Sequence, residues 1–92
     1  MMKLPVPRSE IKLRLKKIEG QVRGLEEMVE AERDCKDIMI QLSAAKAAME
    51  SVAALVLRNY AAICSEKQDG EIGEKLAYAV SLWIGGKAKR PD

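Results

Sequence analysis

Apolar residues recur every three or four positions along most of the chain, and this pattern predicts three helices. The first helix is predicted over residues 9–31, and its apolar residues are Ile11, Leu15, Ile18, Val22, Leu25 and Val29. The spacing between successive apolar residues alternates between four and three, which is the heptad pattern of a coiled-coil seam. The seam of a longer second helix, over 34–66, is Cys35, Ile38, Leu42, Ala45, Met49, Val52, Val56, Tyr60 and Ile63. A third helix is predicted over 71–84. No strand-like alternation is visible, so the predicted fold is all-α with a long central helix.

Residues that favour helix ends flank the predicted helices. Ser9 is the expected N-cap of the first helix, and Asp34 is the expected N-cap of the second. Gly20 lies inside the first helix, where it costs about 1 kcal/mol relative to alanine, and we expect it to permit the close approach of another helix. The Gly85-Gly86 pair ends the third helix, and a basic tail is predicted over 85–92.

Length and composition indicate one small domain over residues 1–92. The chain has 92 residues, is 48% apolar and contains no phenylalanine, so its core is aliphatic and a partner subunit would help to stabilise it. Prolines stand where the apolar region of a signal peptide would lie. We also expect no apolar run of the roughly 18–20 residues that a membrane span needs. The predicted protein is therefore cytoplasmic, with no membrane partner.

Charge is distributed unevenly, although the net charge is only +2. Residues 1–18 contain six lysines or arginines and one acidic residue, whereas residues 19–34 contain six acidic residues and two arginines. A basic block together with a basic tail is typical of a protein that contacts the phosphates of nucleic acid. A solvated helix face is the alternative explanation of the same block.

The residues available for chemistry exclude most enzyme classes. The chain has no histidine, no Gly-rich phosphate loop and no CxxC motif, so a hydrolase of the serine type has no general base. We therefore predict a protein that is not an enzyme; a thiol-based redox enzyme is the rival from that class. Cys35 and Cys64, the two cysteines, remain as candidate reactive groups, and the alternative is that both are small buried hydrophobes.

The spacing of the two cysteines predicts an antiparallel dimer. They are 29 residues apart, which on one helix puts both on the same face but roughly 43 Å apart. A disulfide needs Cα atoms within about 7 Å, so one helix cannot pair its own thiols. A two-fold axis between Met49 and Glu50 would bring Cys35 to Cys64 of the partner subunit, twice per dimer.

Two stretches resemble the copper-sensitive operon repressor (CsoR) family: RLKKIEGQVRGL, from Arg14 to Leu25, and DCKDIMIQLSAAKAA, from Asp34 to Ala48. The resemblance extends over roughly residues 8–84. It implies a four-helix-bundle dimer that assembles into a disc-like tetramer, a dimer of dimers, and represses transcription by binding operator DNA. It further implies that the DNA-binding residues are Arg14, Lys17 and Lys46, with Arg23 as an addition, which agrees with the basic block.

The same resemblance places the sensor at Cys35, Tyr60 and Cys64, and Tyr60 stands where the family has a histidine. A tyrosine there favours the persulfide-sensing, CstR-like branch. The expected repressor is then released when Cys35 and the partner's Cys64 react with persulfide or polysulfide, giving an interchain disulfide or polysulfide bridge beside Tyr60. No cofactor is expected in that case. The alternative is a copper(I)-sensing repressor that uses the same two thiolates.

Overall fold

The structure, a computed structural model, describes residues 4–67 and 70–85, and in these ranges it contains three helices. They are α1 (Arg8–Glu30), α2 (Cys35–Lys67) and α3 (Gly70–Ile84). Every predicted boundary lies within one residue of the observed one, and α2, with 33 residues, is the longest helix. The all-α, three-helix prediction is confirmed. The predicted basic tail, apart from Gly85, lies outside the described residues.

The first helix begins one residue earlier than predicted, and its N-cap differs. Pro7 is the N-cap, in an extended conformation and without a side-chain cap, so the prediction of Ser9 as the N-cap is wrong. The physical reason is that the carbonyl of Pro7 already accepts the first helical hydrogen bonds, which places Ser9 inside the helix. Asp34 does hold the predicted cap position of α2, since its carbonyl accepts a hydrogen bond from the Ile38 N–H at 3.1 Å.

The connection from α1 to α2 is a Schellman turn built without glycine. The N–H of Glu32 donates to the Val29 carbonyl at 3.1 Å, and the N–H of Arg33 donates to the Met28 carbonyl at 3.0 Å. Glu32 has a φ of 53°, a left-handed conformation that glycine adopts at far lower cost. The turn therefore carries strain that a glycine would relieve.

The chain forms two compact units. The helix-1 unit, Pro7–Leu55, holds α1 and the first two thirds of α2. The helix-3 unit holds the rest of α2 and α3, together with residues 4–6 of the N-terminal arm.

In the helix-1 unit the two heptad seams each divide into a shielded row and an open row. Residues of the shielded rows are buried or half-buried: Ile11, Ile18 and Leu25 on α1, and Ile38, Ala45 and Val52 on α2. Residues of the open rows are 38–62% exposed: Leu15, Val22 and Val29 on α1, and Leu42 and Met49 on α2. Each row repeats every seven residues, so half of each apolar seam is left uncovered within one chain.

In the helix-3 unit a buried amide fastens the N-terminal arm to α2. The N–H of Val6 donates to Asn59 Oδ1, and Asn59 Nδ2 donates to the Val6 carbonyl, both at 2.9 Å. Val6 is 4% exposed and Asn59 is 5% exposed. Because the side-chain amide satisfies both backbone groups of Val6, this residue can lie buried without orphaned polar atoms.

By length and composition, the segment Cys35–Glu66 of α2 is long and apolar enough to cross a membrane. This corrects the expectation that no run of the chain reaches that length, because the alanines of the helix count as apolar. One such helix is weak evidence for a membrane span, since a core helix of a soluble protein passes the same test. Lys46, Glu50 and Arg58 lie inside the segment, and charges are costly in the hydrocarbon interior.

Candidate functional site

Arg14 and Lys17 lie together on one groove of the helix-1 unit. The groove has a volume of about 460 Å³ and is also lined by Glu10, Leu13, Ile18, Gln21, Ala48 and Ser51. The guanidinium of Arg14 donates to Ser51 Oγ at 3.4 Å and to Glu10 Oε1 at 3.3 Å. These partners orient an exposed arginine at the mouth of a groove, where a phosphate oxygen could accept its hydrogen bonds.

The other two predicted DNA-binding residues do not line this groove. Lys46 on α2 and Arg23 on α1 are both exposed, and neither makes a hydrogen bond or ion pair in the part of the chain that the structure describes. An exposed cation without an internal partner is free to meet a phosphate. The roles of all four basic residues stay predictions.

Cys35 is a free, exposed thiol and the first residue of α2. Two residues before it and two residues after it along the chain, Arg33 Nη2 and Asp37 Oδ2 form an ion pair at 3.5 Å. The first backbone N–H groups of a helix have no intrahelical acceptor, so the surroundings of this sulfur are polar and solvent-accessible. A metal ion or a small electrophile can reach it.

Cys64 is a free, half-buried thiol near the other end of α2. Helix α3 passes close to it at Gly73, where an added Cβ would lie 3.5 Å from the Cys64 sulfur. Of the two thiols, this one has the more enclosed surroundings.

Within one chain the structure does not bring the two cysteines together. Both belong to the continuous helix α2, whose rise of about 1.5 Å per residue separates them far beyond disulfide reach. Among the described residues, no group of three or more His, Cys, Asp or Glu side chains could hold a metal ion. A site that uses both thiols therefore needs a second chain.

Tyr60 lies on a second, apolar groove, in the helix-3 unit. Its side chain is 54% exposed. The groove has a volume of about 340 Å³ and is also lined by Val56, Leu57, Ile63, Ile72, Lys75, Leu76 and Ala79. Cys64 is absent from this lining, so the prediction that Tyr60 lines the cysteine site stays a prediction.

The sequence pattern singled out neither Asn59 nor Gly73. Asn59 has no local signal, because its partner Val6 is 53 positions away. Close approach of a helix was expected at Gly20, but within one chain an added Cβ there would have nothing within 4 Å. The glycine at which two helices of the chain approach closely is Gly73, where α3 passes near Cys64 of α2. It stands three positions before Leu76 and seven before Val80, so the apolar spacing of α3 was a usable signal.

Two curated relatives match part of the chain. The copper-sensing transcriptional repressor CsoR of Bacillus subtilis (strain 168) is 51% identical over 57 residues, covering 62% of this chain and 56% of that protein. The copper-sensing transcriptional repressor RicR of Mycobacterium tuberculosis (strain ATCC 25618 / H37Rv) is 38% identical over 60 residues, covering 65% of this chain and 62% of that protein. Both matches span less than two thirds of the relatives' own lengths.

Two solved structures are similar to the fold. The copper-sensing repressor CsoR with Cu(I) from Geobacillus thermodenitrificans NG80-2 has a TM-score of 0.74 and 34% identity, covering 91% of this chain and 98% of that chain. The nickel-responsive transcriptional regulator InrS has a TM-score of 0.67 and 30% identity, covering 84% of this chain and 89% of that chain. The chain therefore has a CsoR-like fold.

The copper-sensing relatives correct the expectation that no cofactor is bound, and they weaken the persulfide interpretation. The prediction that the protein works without a cofactor is wrong, because two relatives are named as copper sensors and a similar structure contains Cu(I). These findings favour copper binding over none. They also fit the copper(I) alternative better than the persulfide interpretation.

The family comparison covers more of the chain than either curated relative. The sequence pattern of the family described as metal-sensitive transcriptional repressor matches residues 8–83, from the first residue of α1 to the last turn of α3. That range includes both cysteines and the four basic candidates. The relatives named above are regulators of transcription and not enzymes, which agrees with the predicted class. This chain belongs to the metal-sensitive transcriptional repressor family.

Proposed function

We propose that this protein is a cytoplasmic transcriptional repressor that binds operator DNA and is released by copper(I). The proposed copper ligands are the thiolates of Cys35 and of Cys64 of the partner subunit. The observation that carries the proposal is the placement of these two soft donors at opposite ends of one continuous helix. The names of the copper-sensing relatives support the choice of metal.

The donor chemistry fits copper(I). Thiolates are soft ligands, and soft ligands select Cu(I) over the harder divalent ions. The chain has no histidine, so a site that needs imidazole, such as many nickel and zinc sites, has no donor in this protein. When bound, copper(I) would join the two thiolates and so link two subunits.

The open rows of the helix-1 unit support the antiparallel dimer. Met49 is in the open row of α2 and lies next to the expected two-fold axis, between Met49 and Glu50. A second copy packed there would cover the uncovered half of each seam, and burial of apolar side chains is the main favourable term in such association. The same axis would bring Cys35 to the partner's Cys64. Two such dimers would form the tetramer.

The basic groove supports the DNA-binding half of the proposal. Arg14 and Lys17 present two cations on one face of α1, and Lys46 and Arg23 are exposed. Contacts from lysine and arginine to phosphates supply most of the affinity that does not depend on sequence. Copper(I) that links two subunits would change how these cations are spaced across the dimer, which couples the two sites.

The proposal is tested by mixing two inactive variants. Cys35→Ser and Cys64→Ser should each lose tight copper(I) binding in an anaerobic titration against a competing chelator. In a mixed dimer, the Cys64→Ser chain supplies Cys35 and the Cys35→Ser chain supplies Cys64. One site per mixed dimer is then complete, and mixing should restore part of the binding.

The control variant and the DNA measurement complete the test. Met39→Leu removes an exposed thioether from α2 and should leave copper(I) binding unchanged. Fluorescence anisotropy with a duplex selected from a random library should show binding that copper(I) reverses. The proposal fails if mixing restores no binding, or if copper(I) binds tightly without releasing the selected duplex.

A second candidate function uses the same thiols to sense reactive sulfur. The observation that favours it is Tyr60 at the family's histidine position, in a chain without histidine. A persulfide donor would transfer its outer sulfur to the Cys35 thiolate and leave as a thiolate. Attack by the partner's Cys64 thiolate on the inner sulfur of that persulfide would form a disulfide and release hydrosulfide.

Intact mass under non-reducing conditions separates the two candidates. Treatment with a persulfide donor should give cross-linked dimers, and any longer bridges should add multiples of about 32 Da, one sulfur atom. Release of the selected duplex by the donor and not by copper(I) would support the second candidate. Release by copper(I) alone would exclude it.

A further inference from the structure

Gly73 differs from the other glycines that the structure describes. An added Cβ at Gly73 would meet the Cys64 sulfur at 3.5 Å, whereas at Gly20, Gly24, Gly70 and Gly85 it would meet nothing within 4 Å. Gly73 lies within α3, and its contact joins α3 to α2 inside the helix-3 unit. The absent side chain therefore leaves space directly beside one of the two candidate ligands.

Helix packing alone does not require glycine at this position. A Cβ at 3.5 Å from sulfur makes ordinary van der Waals contact, so alanine fits without moving either helix. Glycine also weakens a helix interior relative to alanine, because it loses more backbone entropy on folding. The missing methyl instead affects the surroundings of the sulfur, which belongs to a half-buried residue.

We infer that Gly73 keeps open the flank of the Cys64 sulfur that faces α3, and that soft ligands reach Cys64 along this flank. Gly73 is then a specificity-determining residue of the sensor, an assignment that rests on the proposed function of Cys64. A methyl group there would cover the flank and hinder any atom bonded to the sulfur on that side. Larger groups on the sulfur would be hindered more.

The test compares Gly73→Ala with Gly70→Ala in the full-length protein. Both variants exchange a glycine of α3 for alanine, but only the first adds a carbon near the Cys64 sulfur. The labelling rates of both cysteines are measured by mass spectrometry, with methyl methanethiosulfonate as the small reagent and N-ethylmaleimide as the larger one. Cys35 is the internal reference, because it is exposed and lies on the other unit.

In Gly73→Ala we expect the rate of Cys64 relative to Cys35 to fall about fivefold with the small reagent, and further with the maleimide. Gly70→Ala should leave the ratio unchanged. An unchanged ratio in Gly73→Ala, or an equal fall in Gly70→Ala, overturns the inference. Misfolding cannot imitate the expected result, because unfolding would expose Cys64 and raise its rate.

A copper(I) competition titration on the same variants separates this inference from the proposed function. Weaker copper(I) binding in Gly73→Ala, with Gly70→Ala like the wild type, supports both. If the wild type binds no copper(I), the proposed function fails, and the labelling ratio alone decides whether Gly73 controls access to Cys64. If copper(I) binds equally to all three proteins, Gly73 does not set ligand access and the inference is wrong.

Discussion

Replacing Asn59 with alanine tests the anchor of the N-terminal arm. The change removes two hydrogen bonds of 2.9 Å and leaves the N–H and carbonyl of Val6 without partners at a site that is 4–5% exposed. Each orphaned buried group costs about 1–3 kcal/mol. The higher helix propensity of alanine stabilises the variant by roughly 0.5 kcal/mol. Detachment of the arm would lower the cost further, because water could then hydrogen-bond to the N–H and carbonyl of Val6. We expect a net loss of about 2 kcal/mol, near the cost of two ordinary hydrogen bonds.

Urea unfolding followed by circular dichroism measures this loss, with every variant at one subunit concentration because an oligomer's stability depends on it. Hydrogen exchange of the Val6 amide should become faster in Asn59→Ala, since that amide loses its acceptor. Gln41→Ala is the matched control, because Gln41 is exposed on the same helix, and it should change stability by less than about 0.5 kcal/mol. If Asn59→Ala unfolds like Gln41→Ala and the Val6 amide stays protected, Asn59 does not anchor the arm.

Three further predictions concern packing, turn strain and charge. Ile18 is a core residue that is 5% exposed, so Ile18→Ala should lower the free energy of unfolding, measured in urea, by about 2–4 kcal/mol. A loss below about 1 kcal/mol would show that the side chain of Ile18 is not packed in the core. Glu32→Gly should raise the melting temperature and Gly85→Ala should lower it, each by about 1 kcal/mol of stability, because both positions have positive φ; opposite signs would exclude backbone strain as the cause. Arg14→Ala and Lys17→Ala should each weaken binding to DNA of any sequence. Each should also reduce the slope of log K against log salt concentration by about 0.9 for each phosphate that is no longer neutralised. An unchanged slope would show that the replaced residue does not contact a DNA phosphate.

The helices followed from the sequence because their causes are local. Alternating steps of three and four between apolar residues define a helical seam, and this placed α1 and α2 within one residue of their observed bounds. The error at Ser9 has a local cause too, since a proline two residues earlier took the cap position. Spacing on one helix also excluded an intrachain pair of Cys35 and Cys64. These inferences need only the geometry of a single helix.

The choice between copper(I) and persulfide shows the limit of a local pattern. Tyr60 at the position of a family histidine favoured persulfide sensing, whereas the relatives favour copper. One ligand position cannot decide the ligand by itself, because soft thiolates bind both copper(I) and sulfane sulfur. In the proposed dimer the donor set would come from two chains, so the pattern along one helix does not fix the ligand.

The three helices, the apolar seams and the spacing of the thiols follow from the order of the residues, since each depends only on the geometry of a single helix. Which half of each seam is shielded depends on tertiary packing, because Ile18 and Leu15 are both apolar and differ in what packs on them. Tertiary packing also sets the hydrogen bonds between Asn59 and Val6 and the close approach of Gly73 to Cys64. Those contacts join residues far apart along the chain, or on different helices, and no local periodicity encodes them.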